Sequence, residues 1–327
     1  MTGLDTPVQR SGRWSGRVAN QGPGPTEDAA PGRISAPESI TPLGVIHRPA
    51  ERTAPQAKAT GRISRGQAER VGRGLSDRDR AILTSLDAHR FLTTGQIERF
   101  HFADHVNPDA AARICRRVLH RLYQSHVIDH LDRRVGGVRA GSASFVWRVG
   151  SVGDQLLRLN AGGDQPRLRR KEPSLRYLEH CLAVADCHLA LRSLAAAHRI
   201  ELMRVATEPD CWRSYLALSG SRDTLKPDLH AVTASGDYED HWFVEIDRAT
   251  ESLPTLLRKC TQYEDYRRTE AEQHQHGVFP LVVWVVPDET RAAKLAAGVA
   301  ASRSLDRELY RICTPNRFAG VITGGAA

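Results

Sequence analysis

The run Leu281-Val282-Val283-Trp284-Val285-Val286 is apolar at every position, so as a strand it presents apolar side chains to both sides of a sheet. Such a strand has to be covered twice, once on each face, and its place is inside a layered sheet. The neighbouring sequence supplies the cover. Helical patterns run from about Leu175 to Ala197, with Leu178, Leu182, Ala185, Leu189 and Leu194 on one side, and again at Leu253–Gln273 and Arg291–Arg303. Further strand candidates lie at Glu201–Thr207, Leu229–Thr233 and Trp242–Ile246. Helices between apolar strands predict a mixed α/β layer domain over residues 174–327.

A chain of 327 residues has room for more. Residues 1–73 are rich in Gly, Pro, Arg, Ser and Thr and lack apolar periodicity, which predicts a disordered basic tail. Order is expected from Leu75, where Ser76 is placed to cap a helix through Ile82, Leu83 and Leu86. A second helix follows from Phe91-Leu92-Thr93-Thr94-Gly95-Gln96-Ile97, capped by Thr93 or Thr94 and ending near Phe100 to Phe102. A third runs from about Ala110 to Gln124 after Asn107-Pro108-Asp109. Val127–Leu131 and Phe145–Val149 read as strands around a hairpin tip at Arg133–Arg139. Three helices and a two-stranded wing predict a winged helix-turn-helix over residues 74–160, joined by a linker at 161–173.

The third helix sorts its residues by chemistry. At about 100° per residue, Ile114, Val118, Leu119 and Leu122 share one side, and Arg113, Arg116, Arg117, His120 and Arg121 share the other. With Arg133, Arg134 and Arg139 on the wing, and a net charge of +8 carried by arginine far more than lysine, the expected partner is double-stranded DNA. A basic helix face is also compatible with a solvated surface or a protein-docking module. No apolar run, signal peptide or lipidation motif points to a membrane, and the scattered cysteines read as reduced thiols of a cytoplasmic protein. His101 and His105 sit one helical turn apart but lack further ligands nearby.

In the α/β part, strand alternation puts Glu245 and Asp247 on one face. If the strand after Asp228 pairs beside theirs, three carboxylates meet, and Mg²⁺ or Mn²⁺ held by Asp228 and Glu245 would relieve their repulsion and serve nuclease chemistry. Two acids at a strand end are equally compatible with a solvated edge paired to a local arginine such as Arg248.

The blocks Lys226-Pro227-Asp228 and Phe243-Val244-Glu245-Ile246-Asp247-Arg248-Ala249-Thr250-Glu251-Ser252, with the Phe91–Ile97 and Arg117–Leu122 segments, resemble the replication-relaxation family. The resemblance covers roughly residues 75–300. It implies an actinobacterial DNA protein acting in plasmid or mobile-element replication or relaxation, with other replication or mobilisation proteins as possible partners. The second domain also resembles the PD-(D/E)XK nuclease fold, which implies catalytic acids at Glu179, Asp228 and Glu245. Asp247 stands where that pattern has lysine. Lys259, with Gln262 on the same helix face, is then the candidate displaced lysine. Without it, the resemblance implies an inactive domain that helps to hold DNA in a replication initiator or transcriptional regulator. The pattern His274-Gln275-His276 near Tyr263 and Tyr266 suggests a tyrosine relaxase only weakly, because the middle residue is polar.

Overall fold

Capping side chains start the first helices of the computed structural model, which describes residues 63–324 apart from 106, 136–143, 163–170 and 218–219. Ser64 accepts from the Gln67 amide and opens α1 (Arg65–Arg73). Residues 65–73 are therefore helical, which corrects their assignment to a disordered tail; residues 1–62 of that tail lie outside the described residues. The tail reading missed α1 because the helix buries little. Only Ala68 and Gly72 are buried, and a Cβ at Gly72 would fall 2.7 Å from Leu156.

Ser76 and Asp79 form a reciprocal capping box at the start of α2 (Asp77–His89). The short β1 (Leu92–Thr93) leads into α3 (Thr94–His101), where Thr93 and Gln96 repeat the device. Asn107 caps α4 (Pro108–Gln124), and Pro108 fits its first turn because no intrahelical N–H bond is needed there. β2 (Ile128–Val135) and β3 (Ser144–Val149) then pair antiparallel, in a small sheet of order β1-β3-β2. Of the expected hairpin tip, residues 133–135 belong to β2, and the rest, including Arg139, lies outside the described residues.

A helix that the sequence patterns did not reveal, α5 (Ser151–Asn160), follows directly and packs back on α1. A Cβ at Gly153 would sit 2.2 Å from the Val127 carbonyl oxygen, so only glycine lets this helix press so close to the start of β2. Ile82, Leu86, Ile97, Leu119, Leu122 and Ile128 form the core of this part. Most of the expected linker lies outside the described residues.

The second part begins with α6 (Leu175–Ala196), capped by Ser174. β4 (Glu201–Thr207) comes next, then a hairpin of β5 (Arg213–Leu216) and β6 (Arg222–Leu225) that sequence periodicity did not reveal. After it come β7 (Leu229–Ser235), β8 (Tyr238–Ile246), α7 (Leu253–Arg267) and α8 (Ala271–His276). β9 (Leu281–Val285), α9 (Glu289–Ala301), a 3-10 turn (Arg307–Leu309), β10 (Tyr310–Cys313) and α10 (Pro315–Ile322) complete the chain's described elements.

The main sheet has the order β10-β9-β8-β7-β4. Its β4-β7-β8 half is an antiparallel meander, while β9 and β10 run parallel to β8. The apolar run is covered on both faces as expected. Val282 and Trp284 face a core with Leu256, Cys260 and Leu295, and Val283 and Val285 face one with Val184, Leu191 and Phe318.

α6 serves both parts. Its Ala185 and Leu189 join the first core and its Val184 and Leu191 the second, and Gln96 donates to the Leu182 carbonyl oxygen and Asp186, both at 2.9 Å. The described residues accordingly fall in one compact unit. No described helix is long and apolar enough to cross a membrane.

Candidate functional site

On α4 the apolar positions face inward, with Ala111, Cys115, Leu119 and Leu122 buried. Arg113, Arg116, Arg117 and His120 are exposed, and none forms an ion pair or hydrogen bond with another described residue. Arg121 differs from its neighbours. It reaches back 2.6 Å to Asp79, the buried capping residue of α2, and its charge is used inside the protein. Burial works to raise the Asp79 carboxyl, but the hydrogen bonds from Arg121 and Ser76 outweigh it and hold the group below its usual value. Arg133 and Arg134 lie on β2.

The acids of the α/β part are placed by strand register. Leu229 pairs with Val244, and the Asp228 amide donates to the Val244 carbonyl, so Asp228 and Glu245 end up side by side where β7 begins and β8 ends. Both are buried, on the wall of a cavity of about 370 Å³ that also includes His180, Asp247, Lys259 and Trp284.

Each carboxylate oxygen in the pair has a protein partner. Asp228 Oδ2 accepts from the Ile246 amide at 2.7 Å, and Oδ1 lies 3.3 Å from His180 Nε2. Glu245 Oε1 accepts from the Tyr263 hydroxyl at 2.5 Å, and Oε2 is bonded by the Lys259 ammonium. Lys259 thus reaches Glu245 from α7, while Gln262 is exposed. His180 is an addition that the sequence reading did not single out, and Tyr263, noted there only beside the weak relaxase pattern, belongs to this site instead.

Two expected acids are engaged elsewhere. Glu179 points to the surface, 3.5 Å from Arg248, because one residue along a helix turns the side chain by about 100° and gives the inner position to His180. Asp247 lies just beyond the end of β8 and touches the cavity, but its carboxylate accepts from Arg291 Nε at 2.5 Å and from the Ala249 amide at 2.8 Å.

The electrostatics follow from burial opposed by pairing. Burial works to raise Asp228, but Lys259 and the His180 hydrogen bond hold it below its ordinary value. Burial, joined by the Asp228 charge, pushes Glu245 up to about 8 against the pull of Lys259 and Tyr263. For His180 and Lys259 burial works downward, and the neighbouring carboxylates more than reverse it, leaving both raised.

As a cradle for the expected divalent cation, this donor set does not fit. A hard cation takes at least six oxygen ligands from carboxylates, carbonyls and water. Here all four oxygens of the two acids already have protein partners, and the Lys259 ammonium supplies a positive charge beside them. Among the described residues no three His, Cys, Asp or Glu side chains are arranged to hold a metal.

His101 and His105 are occupied separately, the first with Ser85 and the second beside Arg78 and Asp104. Tyr263 and Tyr266 are buried and donate to Glu245 and Glu272, so neither hydroxyl is presented to a DNA strand. All six cysteines are buried free thiols.

The replication-relaxation family model matches residues 83–282, more than half of the chain. No curated protein and no solved structure matches it.

Proposed function

Because the chain belongs to the replication-relaxation family, we propose that it is a DNA-binding protein of plasmid or mobile-element replication and relaxation, docking on duplex through α4. In this reading α2, α3, α4 and the β2–β3 hairpin are a winged helix-turn-helix, and the α/β layers are a PD-(D/E)XK-like domain that holds DNA without metal-dependent cleavage. The observation that carries it is the outer face of α4. Arg113, Arg116 and Arg117 are exposed and lack internal partners among the described residues, which leaves their guanidinium groups available to phosphates and guanine edges.

The order of the α/β elements supports the nuclease-like assignment: α6, the β4-β7-β8 meander, crossover helix α7 and parallel β9, with Asp228 and Glu245 at adjacent strand ends. The internal pairing of those acids supports a binding role over a cutting one. A metal-dependent nicking enzyme is the second reading, favoured by the convergence of Asp228, Glu245 and Lys259 around one cavity.

Supercoiled plasmid incubated with the protein, with and without Mg²⁺ or Mn²⁺, separates the two. The binding reading expects retarded but uncut DNA in every lane, with retardation weakened by Arg116→Ala and Arg117→Ala. Metal-dependent nicking lost in Asp228→Ala and Glu245→Ala would establish the second reading instead.

A further inference from the structure

Two buried carboxylates on neighbouring strand ends, opening to a cavity, repel one another strongly in a medium that screens poorly. A positive charge is required between them, and a divalent cation is one way to provide it. This chain provides another. Lys259 extends from α7 to bond Glu245 Oε2, and its charge also acts on Asp228. His180 approaches Asp228 from the opposite side, on α6. The ammonium and the hydrogen-bonding imidazole thus give each acid a partner from within the protein.

We propose that the Lys259 ammonium permanently fills the cation position created by Asp228 and Glu245, so that the wild-type site has no use for a divalent metal and loss of the lysine uncovers one. Adding a dication to the intact site would leave an excess of buried positive charge and would have to displace a tethered partner. Removing the ammonium frees Glu245 Oε2, leaves the pair of acids undercompensated, and opens space in the cavity for water ligands. The inference rests on the non-cleaving reading of the α/β domain, and not on how α4 meets DNA.

The test uses Mn²⁺ as probe on the full chain, comparing wild type, Lys259→Gln, and Lys259→Gln combined with Asp228→Asn. Circular dichroism checks folding, and titration calorimetry with Mn²⁺ electron paramagnetic resonance counts bound ions. Wild type is expected to bind no ion at about 1 mM, the weak end of carboxylate cation sites. Lys259→Gln is expected to bind one ion per chain, with its melting temperature raised by roughly 5–10 °C at a hundredfold excess over Kd. The double variant is expected to lose both responses.

Stoichiometric Mn²⁺ on the wild type, abolished by Asp228→Asn, overturns the proposal. So does a folded Lys259→Gln that binds none, or one that fails to fold even with Mn²⁺. Duplex binding measured on the same samples keeps a failure here distinct from a failure of the docking reading.

Discussion

The outer face of α4 and the floor of the α/β cavity carry their charges under opposite conditions. On α4 the arginines stand in water without internal partners among the described residues. On the cavity floor Asp228 and Glu245 are buried, and every oxygen is matched by a donor. Solvated, unpaired guanidinium groups contribute little to folding and can be transferred to a partner at small cost. Buried, compensated charges contribute to the integrity of the fold and are expensive to disturb. In the proposed reading, recognition falls to the first region and internal structure to the second.

The largest effect should come from splitting the buried pair. Glu245→Ala or Lys259→Ala alone should cost about 3–5 kcal/mol, because each strands an uncompensated charge, whereas Glu245→Gln with Lys259→Met should cost far less. Urea unfolding of the three variants checks this, and equal losses in all three would break the contrast.

On α4 the pattern should invert. Arg116→Ala with Arg117→Ala should leave the melting temperature unchanged, weaken binding to duplexes of any sequence by about tenfold or more, and lower the salt slope by about 2 if both meet phosphates. A sequence-dependent loss would sharpen the account by marking one of them as a base contact.

The junction between the regions should respond to acid. His89 on α2 and His188 on α6 share a hydrogen bond of 3.0 Å, and burial depresses His89 to about 4 and His188 to about 3. The unfolded chain takes up these protons near pH 6.5 and the folded chain resists, so stability should fall as pH drops from about 6.5 toward 4. The slope should reach at most about 1.4 kcal/mol per pH unit for each histidine. Chemical unfolding across that range, with and without His188→Gln, measures it; a flat profile would contradict the assignment.

The smallest effect tests the boundary of the recognition face. Arg121→Ala should cost about 1 kcal/mol of stability, discounted because the guanidinium is half in solvent, and should barely change DNA affinity. A strong binding defect without a stability change would return Arg121 to the recognition face.

Local signals were legible in the sequence wherever one stretch of chain decided the outcome. Ser76, Thr93 and the apolar run of β9 each announce their element, and the polarity of α4 identifies its outer face. Features that depend on distant partners were not legible. Arg121 belongs to the basic stripe by phase, and only the approach of Asp79, 42 residues away, removes it. Glu179 and His180 are adjacent, and the choice between them rests on the rotation of α6 over the sheet. Asp247 follows the alternation rule on paper, yet β8 ends at Ile246 and Arg291 captures its carboxylate. Helix α1, with only two buried residues, is held by contact with α5 rather than by a strong pattern of its own.

The most direct test of the docking account is fluorescence anisotropy of a labelled duplex titrated with wild type and with the Arg113→Ala, Arg116→Ala, Arg117→Ala triple variant across a range of salt. If these arginines meet phosphates, the slope of log K against log salt should fall by roughly 2.7 for the triple variant, with folding intact. An unchanged slope and affinity would mean that α4 is not the DNA-facing element.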